Sequence, residues 1–338
     1  MKISKLFEQI IAGKHLSDNQ MEHIIKDCMT GALSDVQIAA FLALMRMKGE
    51  TVDELTAAAT VMRQLAHNID LGNELVDIVG TGGDGKNTFN ISTVSSFVAA
   101  AAGLRVAKHG NRSVSSQSGS ADLLIKAGFT LNLSDKALQN SMQQCGIAFL
   151  FGPHFHEAMQ HAKNARRELG IRTMFNLLGP LVNPAHVKKQ VVGVSSKQLL
   201  QPIATVLANL GSEHALVINS HDGLDEISIA AKTDVIEYHK GEFKQWTIDP
   251  KDYGCAHSTL DAIVVENPLQ SLALAESVFA GQKGPARDIV LLNTAAALYC
   301  ADAETDFASA IDRAAQAIDS GLARKKFNQL RDLTQTFK

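Results

Sequence analysis

The stretch VDIVGTGGDGKNTFNIST, residues 76–93, decides the fold class of this chain. A short β-branched run comes first, a glycine-rich loop follows, and an apolar segment with helical spacing begins at Ile91. This order predicts a strand, a tight loop and a helix, one step of the alternation typical of α/β proteins. The loop from Gly80 to Gly85 also matches the pattern G-x-G-x-x-G in that context, so it is a candidate phosphate-binding turn.

The same alternation continues toward the carboxyl terminus. Short apolar runs follow at LRVAK (104–108), IAFLF (147–151), QVVGV (190–194) and HALVI (214–218), with helical segments between them. Runs this apolar predict strands buried on both faces, as in a parallel sheet covered by helices. The segments TDVIEYH and FKQWTI, joined by Lys240-Gly241, predict an antiparallel hairpin added to that sheet, and the chain from Pro268 onward predicts covering helices.

The amino-terminal residues follow helical periodicity alone. Three capping boxes, in which a hydroxyl is followed three residues later by Gln or Glu, each predict the start of a helix. They are Ser17 with Gln20, Ser34 with Gln37 and Thr51 with Glu54. We therefore expect a small all-helical domain at residues 1–72 and a larger α/β domain at residues 73–338, with a mostly parallel central sheet and an antiparallel extension.

The composition excludes several classes of protein. Of 338 residues 46% are hydrophobic and 20% are charged, and 32 Lys and Arg against 35 Asp and Glu give a net charge of -3. This balance argues against disorder and against a nucleic-acid partner. The amino terminus lacks the apolar core of a signal peptide, and no apolar run approaches the ~18 residues of a membrane span. Four scattered cysteines fit buried thiols in a reducing compartment, so we expect a cytoplasmic protein with no membrane partner.

The glycine loop allows more than one interpretation. A dinucleotide site would need an acidic residue at the end of the next strand, but that strand ends in Lys108 and His109, with Arg112 just beyond. A turn without a ligand also stays open. The amides and hydroxyls from Asn87 to Thr93 lie at a helix start, which suits phosphate oxygens, and Ser92 could reach a metal. Alternatively, Asn90 or Ser92 could serve only as an N-cap.

Three further groups could carry chemistry. The loop Lys108–Ser116 should lie beside the glycine loop, because both follow parallel strands. Its cations, together with the hydroxyls just beyond it, suit a polyanion. A solvated basic loop is the alternative. Asp225 and Glu226 lie in a loop where both can converge on one cation, and Mg²⁺ suits such oxygen ligands. A solvated acidic loop is the alternative. By composition alone, Arg166 is an exposed helix charge.

Several motifs together resemble the anthranilate phosphoribosyltransferase family. They are GTGGD, NIST, KHGNRSVSS, RRELGIRTMFNLLGPLVNPA and GPARDIVLLNTA, in that order along most of the chain. The family joins phosphoribosyl pyrophosphate to anthranilate in tryptophan biosynthesis. The resemblance implies a helical domain to which a segment near residues 169–187 returns, a homodimer formed through that domain, and a magnesium cofactor.

The resemblance also assigns site residues. Those lining the phosphoribosyl pyrophosphate site would be Gly80, Gly83, Asp84, Thr88, Asn90, Ile91, Ser92, Thr93, Lys108, His109, Gly110, Asn111, Arg112, Ser113, Val114, Ser115, Ser116 and Ser120. Gly80, Asn111 and Arg166 would line the anthranilate site. Ser92, Asp225 and Glu226 would hold magnesium on the pyrophosphate.

The implied reaction needs little acid or base chemistry, because pyrophosphate leaves well once its charge is neutralised. No catalytic residue is assigned; His109 is suspected as a proton acceptor, but nothing in the sequence establishes it. The nearest rival is a pyrimidine nucleoside phosphorylase of the same fold, followed by a non-catalytic phosphate sensor and a dinucleotide-dependent oxidoreductase. The helical domain should dimerise because Phe41, Leu44 and Met47 offer more apolar surface than it can bury alone.

Overall fold

A seven-stranded sheet forms the centre of the computed structural model, which describes residues 2–112 and 117–337. Its strands are β1 (Leu75–Gly80), β2 (Arg105–Gly110), β3 (Ile147–Phe151), β4 (Lys189–Gly193), β5 (His214–Ser220), β6 (Thr233–His239) and β7 (Glu242–Ile248). They lie in the order β3-β2-β1-β4-β5-β6-β7. Strands β1 to β5 pair in parallel, and β6 and β7 continue the sheet in antiparallel fashion. The predicted fold class is confirmed.

The local sequence explains the strands and their turn. Successive residues of β4 and β5 belong to opposite faces: Val191 and Leu216 join one apolar cluster, and Val192 joins the other. The hairpin between β6 and β7 turns through Lys240 and Gly241, whose φ angles are 49° and 93°. Two positive φ angles in a two-residue loop match the twist of the flanking strands, which is why the predicted turn forms there.

The helices of the described residues surround this sheet. They are α1 (Ile3–Ile11), α2 (Asp18–Thr30), α3 (Asp35–Lys48), α4 (Val52–Leu65), α5 (Ile91–Ala101), α6 (Ser120–Lys126), α7 (Asp135–Cys145), α8 (Gly152–Phe155), α9 (Gln160–Leu169), α10 (Met174–Leu178), α11 (Leu200–Asn209), α12 (Pro268–Phe279), α13 (Pro285–Cys300), α14 (Phe307–Asp319) and α15 (Leu322–Gln335). All three predicted capping boxes form, at the starts of α2, α3 and α4. Helix α7 was not predicted, because its sequence is mostly polar; its signal is Ser134, whose hydroxyl accepts a hydrogen bond from the Ala137 N–H.

Two large apolar clusters lie on the two faces of the sheet. Helices α5 and α12 to α15 cover one face. On the other, α1 to α4 share a cluster with α9, α10 and α11. Helix α9 packs against α2 and α3, and α10 against α3 and α4, so this part of the chain contacts the amino-terminal helices. The domain limits 1–72 and 73–338, with a return near 169–187, stay a prediction.

One expectation about the helical unit is wrong. Phe41 was expected on its outer surface, but its side chain is fully buried between the helices because α3 directs it inward. Met47 is 84% exposed, and Leu44 is half-buried. The four cysteines are free and buried, as predicted. In the described part of the chain, none of the helices combines the length and the apolar character needed to cross a bilayer.

Candidate active site

The candidate site lies at the carboxyl end of the sheet, where β1 and β4 are neighbours. The chain leaves β1 toward β2 and leaves β4 toward β5, so the strand order reverses direction between them. Such a switch point opens a crevice at the carboxyl ends of parallel strands, where α/β proteins bind ligands. The glycine loop follows β1, the Lys108 loop begins at the end of β2, and the Asp225 loop follows β5.

The Asp225 loop reaches across the end of β4 to the glycine loop. The Gly82 N–H donates to Asp225 Oδ2 at 2.7 Å, and the Asp225 N–H lies 3.5 Å from Asp84 Oδ2. Glycine is required at two strand ends for this approach. A Cβ at Gly80 would lie 2.6 Å from Asp225 Oδ2, and one at Gly193 would overlap the Asp225 carbonyl oxygen.

Glu226 completes a cluster of carboxylates beside the start of α5. Its Oε1 accepts the Ser92 N–H at 3.2 Å, so the predicted pair does converge on the glycine loop and Ser92. Burial raises the pKa of Asp225 to about 7, and Asp84 adds to the rise. Burial also raises the pKa of Glu226 to about 8, with Asp225 as the next cause. Half-buried carboxylates in mutual repulsion form an oxygen donor set that fits a divalent cation.

Lys108 brings positive charge to this cluster from the end of β2. Its side chain is 3% exposed, and its Nζ donates to the Ile78 carbonyl oxygen at 2.7 Å. Burial lowers the pKa of Lys108, while Asp77 and Glu226 act in the opposite direction. Lys108 is therefore a buried cation held between two carboxylates and not the surface charge of a solvated loop.

A buried network supports Lys108 from below. Asp77 is fully buried in β1, and its oxygens accept from the His109 N–H at 3.3 Å and from Asn183 Nδ2 at 2.8 Å. Burial raises the pKa of Asp77 to about 6, and Lys108 opposes that rise. Asp77 and Asn183 were not singled out in the sequence. The signal was an acidic residue inside the otherwise apolar run VDIV, which needs buried partners.

Asn90 lies at the N-cap position of α5 but does not cap it. Its Oδ1 accepts from Ser118 Oγ at 2.7 Å and from Ser271 Oγ at 2.8 Å, and its Nδ2 donates to the Ser118 carbonyl oxygen. Both the oxygen and the nitrogen of the Asn90 amide are thereby bonded, so its side chain connects Ser118 to the start of α5. The N-cap interpretation of Asn90 is wrong, because these partners replace the helix N–H groups.

Two hydrogen bonds join Asn111 to Ser120. The Asn111 N–H donates to Ser120 Oγ, and that hydroxyl donates to the Asn111 carbonyl oxygen, both at 3.1 Å. A Cβ at Gly110 would overlap the Ser120 hydroxyl, so only glycine fits there. Arg112 is exposed. The predicted site residues Ser113, Val114, Ser115 and Ser116 lie outside the described residues.

The remaining predicted residues differ in how they can act. Ile91, the first residue of α5, is buried in the apolar core, and Thr93 is 1% exposed, with no hydrogen-bond partner for its Oγ1 among the described residues. Thr88 pairs with Val264 in an isolated bridge that anchors the end of the glycine loop. The His109 ring is buried beside His156, and burial holds its pKa at about 3. An imidazole with that pKa is a weak base at neutral pH, which argues against His109 as proton acceptor.

Arg166 is not the exposed charge that composition predicts. It lies near the end of α9, half-buried, with Cζ 5.4 Å from the centre of the Phe175 ring. Burial lowers its pKa. No ion pair or side-chain hydrogen bond joins it to a described residue, Gly80 and Asn111 included, so its donors are available to an anion.

Arg172 makes a contact with the glycine loop that the sequence did not predict. It lies between α9 and α10, and its Nη1 donates to the Gly82 carbonyl oxygen. It stands in the quoted motif RRELGIRTMFNLLGPLVNPA, six residues after Arg166, which was the available signal. The segment that carries Arg166 is thus joined to the glycine loop by one side chain.

Comparisons with known proteins agree along the whole chain. Residues 4–66 match the model of the glycosyl transferase family, helical bundle domain, and residues 72–324 that of the glycosyl transferase family, a/b domain. Anthranilate phosphoribosyltransferase of Legionella pneumophila (strain Paris) is 68% identical over 336 residues, 99% of this chain and 98% of the relative. The one from Hydrogenovibrio crunogenus is 47% identical over 339 residues, the full length of both chains.

Solved structures give the same result. Anthranilate phosphoribosyltransferase from Thermus thermophilus superposes with a TM-score of 0.91 at 36% identity, covering 97% of this chain and 99% of that one. The Saccharomyces cerevisiae enzyme in complex with PRPP and Mg superposes with a TM-score of 0.90 at 27% identity, covering 99% and 98%.

Proposed function

Because the chain belongs to the anthranilate phosphoribosyltransferase family, we propose that the site between its glycine, Lys108 and Asp225 loops carries out this family's reaction. The protein transfers the phosphoribosyl group of 5-phosphoribosyl 1-pyrophosphate to the amine of anthranilate in tryptophan biosynthesis. The products are N-(5-phosphoribosyl)anthranilate and pyrophosphate. A bond forms between the amine nitrogen and ribose C1, the bond from C1 to the pyrophosphate oxygen breaks, and the amine loses a proton.

One observation carries the assignment of the phosphate subsite. Carboxylates from the loop after β5 meet the backbone of the loop after β1, through the bonds from the Gly82 N–H to Asp225 and from the Ser92 N–H to Glu226. The N–H groups of the glycine loop and of the first turn of α5, other than those of Gly82 and Ser92, are suited to phosphate oxygens. Lys108 adds a fixed positive charge beside them. The Asp84 carboxylate has donors of its own, since Oδ1 accepts from the Lys86 N–H at 3.1 Å and Oδ2 lies 3.5 Å from the Asp225 N–H.

Asp225 and Glu226, with the Ser92 hydroxyl, are the residues that would hold magnesium. The raised pKa values of both carboxyl groups mark a local excess of negative charge, which a divalent cation relieves. When bound, magnesium neutralises charge on the departing pyrophosphate. Glycine at positions 80 and 193 lets the carboxylate loop come this close to the strand ends.

Anthranilate would be held by Arg166 through its carboxylate. A guanidinium offers a planar fork of donors that matches a carboxylate, and the Phe175 ring supports its orientation. Gly80 and Asn111 would line the rest of this subsite. With the amine positioned against C1 and a good leaving group, the protein needs no strong base, which agrees with the low pKa of His109.

Two further properties complete the proposal. The protein acts as a homodimer through its helical unit, where Met47 remains exposed. It works in the cytoplasm, since four free, buried thiols fit a reducing compartment.

The activity is tested with purified protein, phosphoribosyl pyrophosphate, anthranilate and magnesium, by following the loss of anthranilate fluorescence. We expect loss of fluorescence with release of one pyrophosphate per anthranilate consumed. A parallel reaction with uridine and phosphate tests the pyrimidine nucleoside phosphorylase alternative. Uracil release without anthranilate consumption would contradict the proposed function.

A further inference from the structure

Arg172 crosses from the α9–α10 segment to the glycine loop. Its guanidinium donates to the carbonyl oxygen of Gly82, whose own N–H donates to Asp225. Gly82 is therefore held on both sides of its Cα, by an arginine from one part of the chain and a carboxylate from another. The guanidinium also lies directly against Gly83, where any Cβ would overlap it.

The charge environment explains why an arginine stands here. Burial lowers the pKa of Arg172, while Asp225 and Asp84 act in the opposite direction. Its Nη2 is buried and has no hydrogen-bond partner among the described residues. A charged donor left without a partner at the edge of a ligand site is costly unless a ligand or a water accepts from it.

The position of Arg172 in the chain links two subsites. Arg166 lies near the end of α9, with its Cζ 5.4 Å from the centre of the Phe175 ring in α10, so Arg172 stands in the short segment between these two residues. We propose that Arg172 fixes the glycine loop to the anthranilate segment and also offers its buried Nη2 donor to the pyrophosphate. The inference rests on the proposed function, since it assigns Arg172 to the same phosphate subsite.

The first test measures binding of phosphoribosyl pyrophosphate with magnesium by calorimetry. Arg172→Met removes the charge and both donors, and we expect about a 10- to 100-fold weaker Kd, as for the loss of a charge-assisted hydrogen bond. Arg172→Lys keeps a point charge without the planar fork and should fall between this variant and the wild type. Arg167→Met is the matched control, because the Arg167 side chain is 69% exposed and only lies near Glu168; it should leave the Kd unchanged.

A second test uses two glycines of the same loop. Gly82 and Gly83 both have positive φ, 64° and 73°, so alanine is strained at either position. A Cβ at Gly82 meets nothing within 4 Å, whereas one at Gly83 meets the guanidinium. Gly83→Ala should therefore weaken binding much more than Gly82→Ala, and this difference should vanish when Arg172 is alanine.

The outcomes separate this inference from the proposed function. If the wild type binds no phosphoribosyl pyrophosphate and consumes no anthranilate, the proposed function fails and Arg172 loses its assignment with it. If the wild type is active and Arg172→Met binds as tightly as the wild type, the function stands and the inference is overturned. If Arg172→Met unfolds, the Arg172→Lys variant and the two glycine variants test the inference instead. An equal effect of Gly82→Ala and Gly83→Ala, both in the wild type and when Arg172 is alanine, would also refute the inference.

Discussion

Replacing Arg166 by alanine should weaken anthranilate binding while leaving the fold and the phosphate subsite intact. The side chain is half-buried, lies over the Phe175 ring and has no carboxylate partner among the described residues. Its truncation therefore breaks no native ion pair. We expect the protein to lose about 1 kcal/mol of stability, mainly the cation–π contact.

The loss of function should be much larger than this loss of stability. A charge-assisted hydrogen bond to a carboxylate is worth about 1.5–3 kcal/mol, which corresponds to a roughly 10- to 150-fold weaker affinity for anthranilate. Arg166→Lys should recover part of it, because the ammonium keeps the charge but not the fork of donors. Affinity for phosphoribosyl pyrophosphate should stay nearly unchanged, since its proposed donors lie in the Gly80 and Lys108 loops and at Arg172, and Arg166 is not among them.

Steady-state kinetics with each substrate varied separately, together with calorimetry, distinguishes the possibilities. Arg167→Ala on the same helix is the control for a general effect of removing an arginine, because Arg167 is exposed. An unchanged KM for anthranilate in Arg166→Ala would refute the reasoning. An equal loss for both substrates would instead indicate damage to the fold, which thermal unfolding would detect.

Three further predictions concern the metal, pH and assembly. Asp225→Asn combined with Glu226→Gln keeps oxygens for the local N–H donors but removes both charges. Turnover should therefore fall by about 10³-fold, and magnesium should no longer raise the melting temperature. Full activity of the wild type in excess chelator would contradict this prediction. Burial lowers the pKa of His109 to about 3 in the folded protein, against about 6.5 unfolded, so the stability contributed by the neutral ring is present above pH 6.5 and is lost on acidification, by about 2 kcal/mol between pH 6.5 and 4.5. Urea unfolding of His109→Gln should show a correspondingly weaker acid loss, and an identical pH profile would count against it. Met47→Asp should convert a dimer to monomers in sedimentation at micromolar concentration; a monomeric wild type would exclude the dimer.

The strands and the helix starts could be predicted because their causes are local. Ser34 and Gln37 satisfy each other's backbone donors whatever the rest of the chain does, and the capping box at α3 formed as expected. The same holds for the turn at Lys240 and Gly241, which depends on the φ angles of two residues. Capping boxes and tight turns depend only on residues that are adjacent in the sequence, so the sequence predicts them.

The assembly of the site could not be derived in this way. The contact between Gly82 and Asp225 spans 143 residues and depends on β4 lying between β1 and β5, an order that no local pattern encodes. Composition predicted an exposed Arg166, which is half-buried, because the burial of one residue is decided by what packs on it from elsewhere. The residues alone left the roles of Asp225, Glu226 and Arg166 open. Only the family resemblance predicted that they bind a metal or a substrate.

The electrostatics of the candidate site favour a divalent cation over another lysine. Lys108 already acts on Glu226, yet the pKa of Glu226 stays at about 8 and that of Asp225 at about 7. Lys108 also interacts with the Asp77 carboxylate, and its ammonium donates to the Ile78 carbonyl oxygen at 2.7 Å. Asp84 adds a third carboxylate. One positive charge therefore leaves the cluster in net repulsion, which supports the proposed magnesium ion, with its two charges and its preference for oxygen ligands.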